Sequence, residues 1–219
     1  EKNEVGLGHR RLSILDISAD GAQPMHSACG RYSIIFNGEI YNYLELKSQL
    51  DYPYRSGADT EVILAAYAEW GETCVEHFNG MFAFALWDHV KSQLFCARDR
   101  LGVKPFFIAR HQNQWLFASE VKALLAGGVP ARPNMNMWAR YLVHGEFEQP
   151  DESFFEGVTA IKPGHTLTFT PDGKVRERRY WYLPERINAP WQGSEDEASE
   201  QLAALLDDAV RLRLRSDVP

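Results

Sequence analysis

Residues 81–87, MFAFALW, alternate with a period of two, yet both faces are apolar: Phe82, Phe84 and Leu86 on one, Ala83, Ala85 and Trp87 on the other. A strand of that kind lies inside a layered structure and is covered on each side. Shorter strands are predicted at 94–97, 106–109 and 115–118, spaced closely enough for an antiparallel meander. Residues 166–170 and 174–181 flank Pro171-Asp172-Gly173 and form a hairpin. The apolar run 33–36 leads into Asn37-Gly38, a pair that would close a hairpin if a second strand followed. Instead residues 39–50 carry leucines at 44, 46 and 50 among Glu, Lys and Gln, a helical mixture. Asn37-Gly38 is therefore expected at the tip of a strand.

Further helices are predicted at 60–70, with Val62, Ile63, Ala66, Tyr67 and Trp70 on one stripe and Gly71 past the end, at 121–125 and at 137–143. Many strands and few helices fit two packed sheets with helices outside. Residues 183–193 contain Pro184 and Pro190, show no periodicity and read as a linker. Ser194 and Glu197 then have the spacing of a capping box, opening a helix with Leu202, Leu205, Leu206, Ala209, Val210 and Leu212. So much apolar surface implies that this helix begins a second domain, and the sequence reads as a fragment: 1–182, a linker at 183–193, and a further start at 194–219.

Composition narrows the function. With 219 residues and a formal net charge of -7, the chain lacks the clustered Lys and Arg of a nucleic-acid binder. Its one basic cluster, KVRERR at 174–179, reads as a solvated edge strand more readily than as a phosphate patch. No apolar run has the length of a membrane span, and the first residues lack the features of a signal peptide, so a cytoplasmic protein is expected. Cys29, Cys74 and Cys96 are widely spaced in apolar sequence and are expected to be buried free thiols. The seven histidines show no metal-ligand spacing.

Six segments then stand in order: HRRLSILD (9–16), FNGEIYN (36–42), GADTEVIL (57–64), FNGMFAFALWD (78–88), RDRLGVKPFF (98–107) and FASEVKALL (117–125). Together with GVTAIKPGHTL (157–167) and the closing SDVP, they resemble the glutamine-hydrolysing asparagine synthetases over essentially the whole chain. The resemblance implies an α+β fold, the four-layer αββα sandwich of two antiparallel sheets found in Ntn hydrolases, forming a class II glutamine amidotransferase domain. It also implies a synthetase domain that activates aspartate with ATP and Mg2+, both bound outside this sequence. Glutamine, aspartate and ATP are the implied small-molecule partners, with no nucleic acid and no membrane, and a homodimer is compatible with it.

Two departures matter. The family's nucleophile is an N-terminal Cys whose own α-amino group serves as base, whereas residue 1 here is Glu. An internal cysteine has no free amine, so none of the three can substitute, and this chain by itself is expected to hydrolyse no glutamine. The pyrophosphate loop expected after SDVP is also missing.

Site residues follow from the resemblance. Arg11 would take the substrate α-carboxylate with its guanidinium fork, though the residue type alone fits a surface arginine equally well. Leu12, Ser13, Ile14 and Leu15 would line the glutamine pocket, and Glu39 would border it. Asp59 would hold the α-amino group, while its place before a helix also suits an N-cap. Asn37 and Gly38 would supply side-chain and backbone N–H donors to the tetrahedral oxyanion; a plain structural turn is the competing reading. Residues 81–87 and 119–122 resemble the lining of an ammonia channel and fit an ordinary sandwich core as well. Two other functions remain open: a relative that amidates another carboxylate, as in peptide or secondary-metabolite tailoring, and a non-catalytic scaffold like those resembling β-lactam synthetases.

Overall fold

The computed structural model describes residues 5–12, 14–146, 151–187 and 190–217. In chain order they form β1 (Met25–His26), β2 (Tyr32–Ile40), α1 (Tyr43–Gln49), α2 (Asp59–Trp70), β3 (Gly80–Asp88), β4 (Gln93–Arg98), β5 (Phe107–His111), β6 (Gln114–Ala118), α3 (Val121–Ala126), α4 (Met135–His144), β7 (Val158–Ala160), β8 (His165–Phe169), β9 (Val175–Arg179) and α5 (Glu195–Arg213). The strands make a six-stranded sheet, β1-β2-β3-β4-β8-β9, and a three-stranded sheet, β6-β5-β7. Every pairing is antiparallel.

The double alternation of β3 separates two cores. Phe82, Phe84 and Leu86 meet Ile34, Phe36 and Ile40 of β2 and Val62 and Ile63 of α2 on one face of the large sheet. Ala83 and Ala85 meet Phe106, Ile108 and Ile161 between the sheets. A third cluster, Ala109, Leu124, Val129 and Val158, joins α3 to the outer face of the small sheet. Helix, sheet, sheet and helix layers follow, the α+β sandwich that the pattern implies. Each fully buried phenylalanine in the first core contributes about 1.5–3 kcal/mol relative to exposure.

The structure corrects several local expectations. Strand β2 does not stop at Asn37-Gly38 but runs on to Ile40, with Asn37 opposite Ala83 and Gly38 opposite Phe82. The pair is thus inside a ladder rather than at a tip, and the helix starts only at Tyr43. The predicted meander is divided: β4 pairs with β3 and β8 in the large sheet, while β5 and β6 form a hairpin in the small one. The chain changes sheets at Asp99, whose buried carboxylate accepts N–H bonds from Phe82, Leu101, Val103 and Lys104. Arg98 braces the same turn by donating to the carbonyls of Gly102, Lys104 and Ile161. Polar turn chemistry overrode the even spacing of short apolar runs.

Helix α2 buries Leu64 and Ala65 as well as Val62, Ile63, Ala66 and Tyr67 of its expected stripe, with Trp70 partly buried, because Leu46 of α1, Leu50, Tyr52 and Tyr54 pack in the same core. Cys74 and Cys96 are buried, but Cys29 is exposed, in the turn between β1 and β2. The basic stretch is the edge strand β9; Arg176 pairs with Glu72 at 2.6 Å, Arg178 with Glu76, and Arg179 with Glu185 at 2.8 Å.

The capping box of α5 forms: Ser194 Oγ accepts from the Glu197 N–H, and the Glu197 carboxylate accepts from the Ser194 N–H at 2.8 Å. Leu202, Leu205, Leu206 and Val210 are exposed, whereas Leu212 is buried. Just past the helix, Arg215 donates to the Tyr41 carbonyl and to both carboxylate oxygens of Glu45.

Candidate functional site

A cavity of about 430 Å³ opens where β2 and β3 meet residues 8–12, 14 and 15 and the start of α2. It brings together Arg11, Leu12, Ile14, Leu15, Asn37, Gly38, Glu39 and Asp59. Ser13 lies outside the described residues. The segment contributes an exposed Leu12 at the rim, a partly exposed Ile14 and a buried Leu15.

Strand alternation decides what β2 offers. Ile34 and Phe36 point toward α2, so Asn37 shares the inter-sheet side with Ile35. Its partner across the ladder, Ala83, is small and leaves the amide room. Asn37 Nδ2 donates to Ser119 Oγ at 3.2 Å, which leaves the second N–H of that nitrogen available. Ser119 also borders the cavity. Gly38 has φ +153°, and a Cβ there would overlap the Met81 carbonyl oxygen and lie 2.7 Å from Phe82 Cα. Gly80 answers it from β3: a Cβ there would overlap the Glu39 carbonyl oxygen and lie 3.0 Å from Ile40 Cα. Both glycines are required because the two backbones approach too closely for a side chain.

Asp59 is buried at the first turn of α2, but it is not the N-cap: Ala58 holds that position, without a side-chain cap bond. Its carboxylate reaches across to β2 and accepts the Ile40 N–H at 2.9 Å. Burial pushes its pKa up to about 6, partly opposed by that hydrogen bond and reinforced by the negative charge of Glu39. Glu39 is raised in the same direction by burial, against the pull of Lys104 and Arg213. A cationic ligand beside the Asp59 carboxylate would favour its ionised form.

Arg11 is held by its own loop. Nη2 donates to the carbonyl oxygens of Leu15 and, at 2.7 Å, Asp16, and the guanidinium lies against Gly21, where a Cβ would not fit. A guanidinium carries five N–H donors, so this bracing still leaves donors for a carboxylate. Burial, reinforced by the positive charge of Arg11, lowers the pKa of neighbouring His9.

Residues to which the sequence assigned no role also line the cavity. Gln23 bridges the two sides, accepting the Phe36 N–H at 2.7 Å and donating to Thr60 Oγ1 at 3.3 Å. Lys104 borders it from the turn organised by Asp99. Neither stands out by spacing; each acquires its role from the sandwich that brings it there. None of the three cysteines borders the cavity. Burial pushes the thiol pKa of Cys74 and Cys96 up strongly, and the Ser27 hydroxyl lowers that of exposed Cys29.

A family model described as a glutamine amidotransferase domain matches residues 1–181. The whole chain is 41% identical to the asparagine synthetase [glutamine-hydrolyzing] 3 of Bacillus subtilis, covering 36% of that protein. Over 98% of the chain it is 39% identical to a putative asparagine synthetase [glutamine-hydrolyzing] 2 of Methanocaldococcus jannaschii, covering 44% of it. It is also 38% identical to amidase chry2 of Gibberella zeae over its whole length, covering 32% of that protein. The chain thus spans between about a third and under half of these relatives. Among solved structures, the glutamine phosphoribosylpyrophosphate amidotransferase of B. subtilis superposes with a TM-score of 0.54 over 79% of the chain and 34% of that protein, at 19% identity, a likeness of fold.

Proposed function

The chain belongs to the glutamine amidotransferase domain family, and from that premise we propose that it forms the glutaminase half of an ATP-dependent asparagine synthetase. In this reading glutamine is hydrolysed to glutamate and ammonia, and the ammonia passes to a β-aspartyl-adenylate on a separate synthetase domain. The observation that carries the reading is the convergence of Arg11, Asn37, Gly38, Glu39 and Asp59 on one cavity with opposite charges. A zwitterionic amino acid needs a cation for its carboxylate and an anion for its ammonium, and Arg11 and Asp59 supply them. The scissile amide then lies toward Asn37, whose remaining N–H stabilises the oxyanion as it forms. The attacking thiolate is not Cys29, Cys74 or Cys96, since none borders the cavity.

Among the described residues no three His, Cys, Asp or Glu converge to hold a metal ion. ATP and Mg2+ belong, in the proposal, to the synthetase half together with aspartate. No helix of the described residues is long and apolar enough to cross a membrane; cytoplasmic location and a homodimeric assembly are further parts of the proposal. A second reading, amidation of a different carboxylate, is favoured by the amidase-named relative in Gibberella zeae.

Transfer of isotopic nitrogen from the glutamine amide, followed in the complete protein, tests both. Labelled asparagine and stoichiometric glutamate are expected from glutamine, aspartate and ATP. Glutamate release with no labelled asparagine would favour the second reading, and no glutamate release would overturn the glutaminase assignment.

A further inference from the structure

Asp16 closes the HRRLSILD motif without lining the cavity, and every polar group it carries is engaged. One carboxylate oxygen accepts from the N–H and hydroxyl of Ser18. The other accepts the Gly57 N–H at 2.7 Å. Its carbonyl accepts from Arg11, and its own N–H donates to Asp217 Oδ2 at 2.7 Å. Asp217 closes the ring by donating its N–H to the Ile14 carbonyl at 3.1 Å. Asp16 makes these contacts from φ +49°, a left-handed conformation uncommon for a residue with a side chain and sustained only where the surroundings enforce it.

The segments joined here are the ones that carry the two ends of the amino-acid site. Gly57 precedes Asp59 by two residues, and Asp16 follows Arg11 by five. The Asp16 to Gly57 bond ties the segment bearing Arg11, which has no sheet or helix of its own, directly to the backbone ahead of α2.

We propose that Asp16 is a positioning residue for substrate capture: by tying the Arg11 loop to the backbone ahead of Asp59, it sets the spacing between the cation and the anion that grip glutamine. This rests on the glutaminase reading above. The role concerns binding shared by ground and transition states, so its loss should raise KM and leave kcat nearly unchanged.

The test is steady-state kinetics of the complete protein carrying Asp16→Ala or Asp16→Asn. The alanine variant is expected to raise the glutamine KM about tenfold, the equivalent of about 1.4 kcal/mol, with kcat within about threefold and ammonia-driven synthesis unchanged. Asparagine tolerates the left-handed conformation and retains one acceptor oxygen, so Asp16→Asn should recover part of the loss. A glutamine KM at the unsubstituted value in the alanine variant would overturn the positioning role alone. A joint fall of kcat, ammonia-driven synthesis and melting temperature would also overturn it, in favour of plain structural support. Failure of the unsubstituted protein to bind or hydrolyse glutamine would instead overturn the glutaminase reading, and this inference with it.

Discussion

Asn37 and Arg11 border the same cavity from two different kinds of structure. Asn37 sits in the middle of β2, paired across the ladder with Ala83 and flanked by a glycine whose backbone is pressed against β3. Arg11 sits in a segment with no regular structure, and its guanidinium is held by carbonyls four and five residues further on. The difference tracks what the proposed function asks of each. A donor to a developing oxyanion contributes through its fixed placement, since reorganisation at the moment of reaction cancels the benefit. A group that captures a flexible, solvated amino acid can sit on a loop, provided something fixes its range. Under the proposed function, the sheet supplies rigidity for chemistry, and side-chain hydrogen bonds supply it for binding.

If that division holds, substitutions on the two sides will fail in different ways. The largest effect is expected at Asn37. In the complete protein, Asn37→Ala should lower glutamine-driven turnover about 100- to 1000-fold while glutamine binding and ammonia-driven synthesis persist. Equal losses in the two activities would mean that the strand, and not the oxyanion, had been damaged. Arg11→Lys should act in the opposite parameter. An ammonium cannot reproduce the paired donors or the bracing of the loop carbonyls, so KM for glutamine should rise on the order of tenfold or more with kcat little changed.

Asp59 offers a sharper contrast because function and stability should move apart. With a folded pKa of about 6 against an ordinary 3.8, its ionised form is disfavoured by folding. The destabilisation builds as pH rises from 3.8 toward about 6 and is constant above that. Asp59→Asn keeps an acceptor for the Ile40 N–H and removes the buried charge, so at pH 8 it should melt no lower than the unsubstituted protein while losing glutamine affinity. For the unsubstituted protein, glutamine KM should rise as pH falls through about 6, where Asp59 takes up a proton and loses its charge. A flat profile between pH 5 and 8 would remove Asp59 from the ammonium subsite. The smallest effect is expected at Ser119: alanine there removes one hydrogen bond to the Asn37 amide, costing about 1 kcal/mol, a roughly fivefold fall in kcat that threonine should restore.

Much of this was legible in the chain because apolar alternation reports faces directly. The two apolar faces of β3 required a layer on each side, and the capping box of α5 announced its first turn. What could not be read was pairing. Nothing local distinguishes β4 from β5 as members of different sheets, because the division depends on Asp99 and Arg98 gathering backbone groups from segments up to 63 residues away. The strand end was misplaced for a related reason. Asn-Gly is a turn signal through glycine's backbone freedom, and here that freedom serves a close approach between strands instead. Asp59 likewise carried the spacing of a helix cap, while its carboxylate was committed across the core to β2. The partners of Gln23 and Asp16 lie in other segments of the chain, and local spacing does not report which segments the fold brings together.

Gly38 and Gly80 interlock across β2 and β3, each filling the space where the other strand's backbone passes. At cavity-lining positions such as Ile35, Met81 or Phe106 an exchange for another apolar side chain changes volume by small steps. At positions 38 and 80 there is no neighbouring step to take, since even a methyl group meets backbone that has nowhere to go. The geometry that aims Asn37 is therefore inherited through two residues that have no side chain at all.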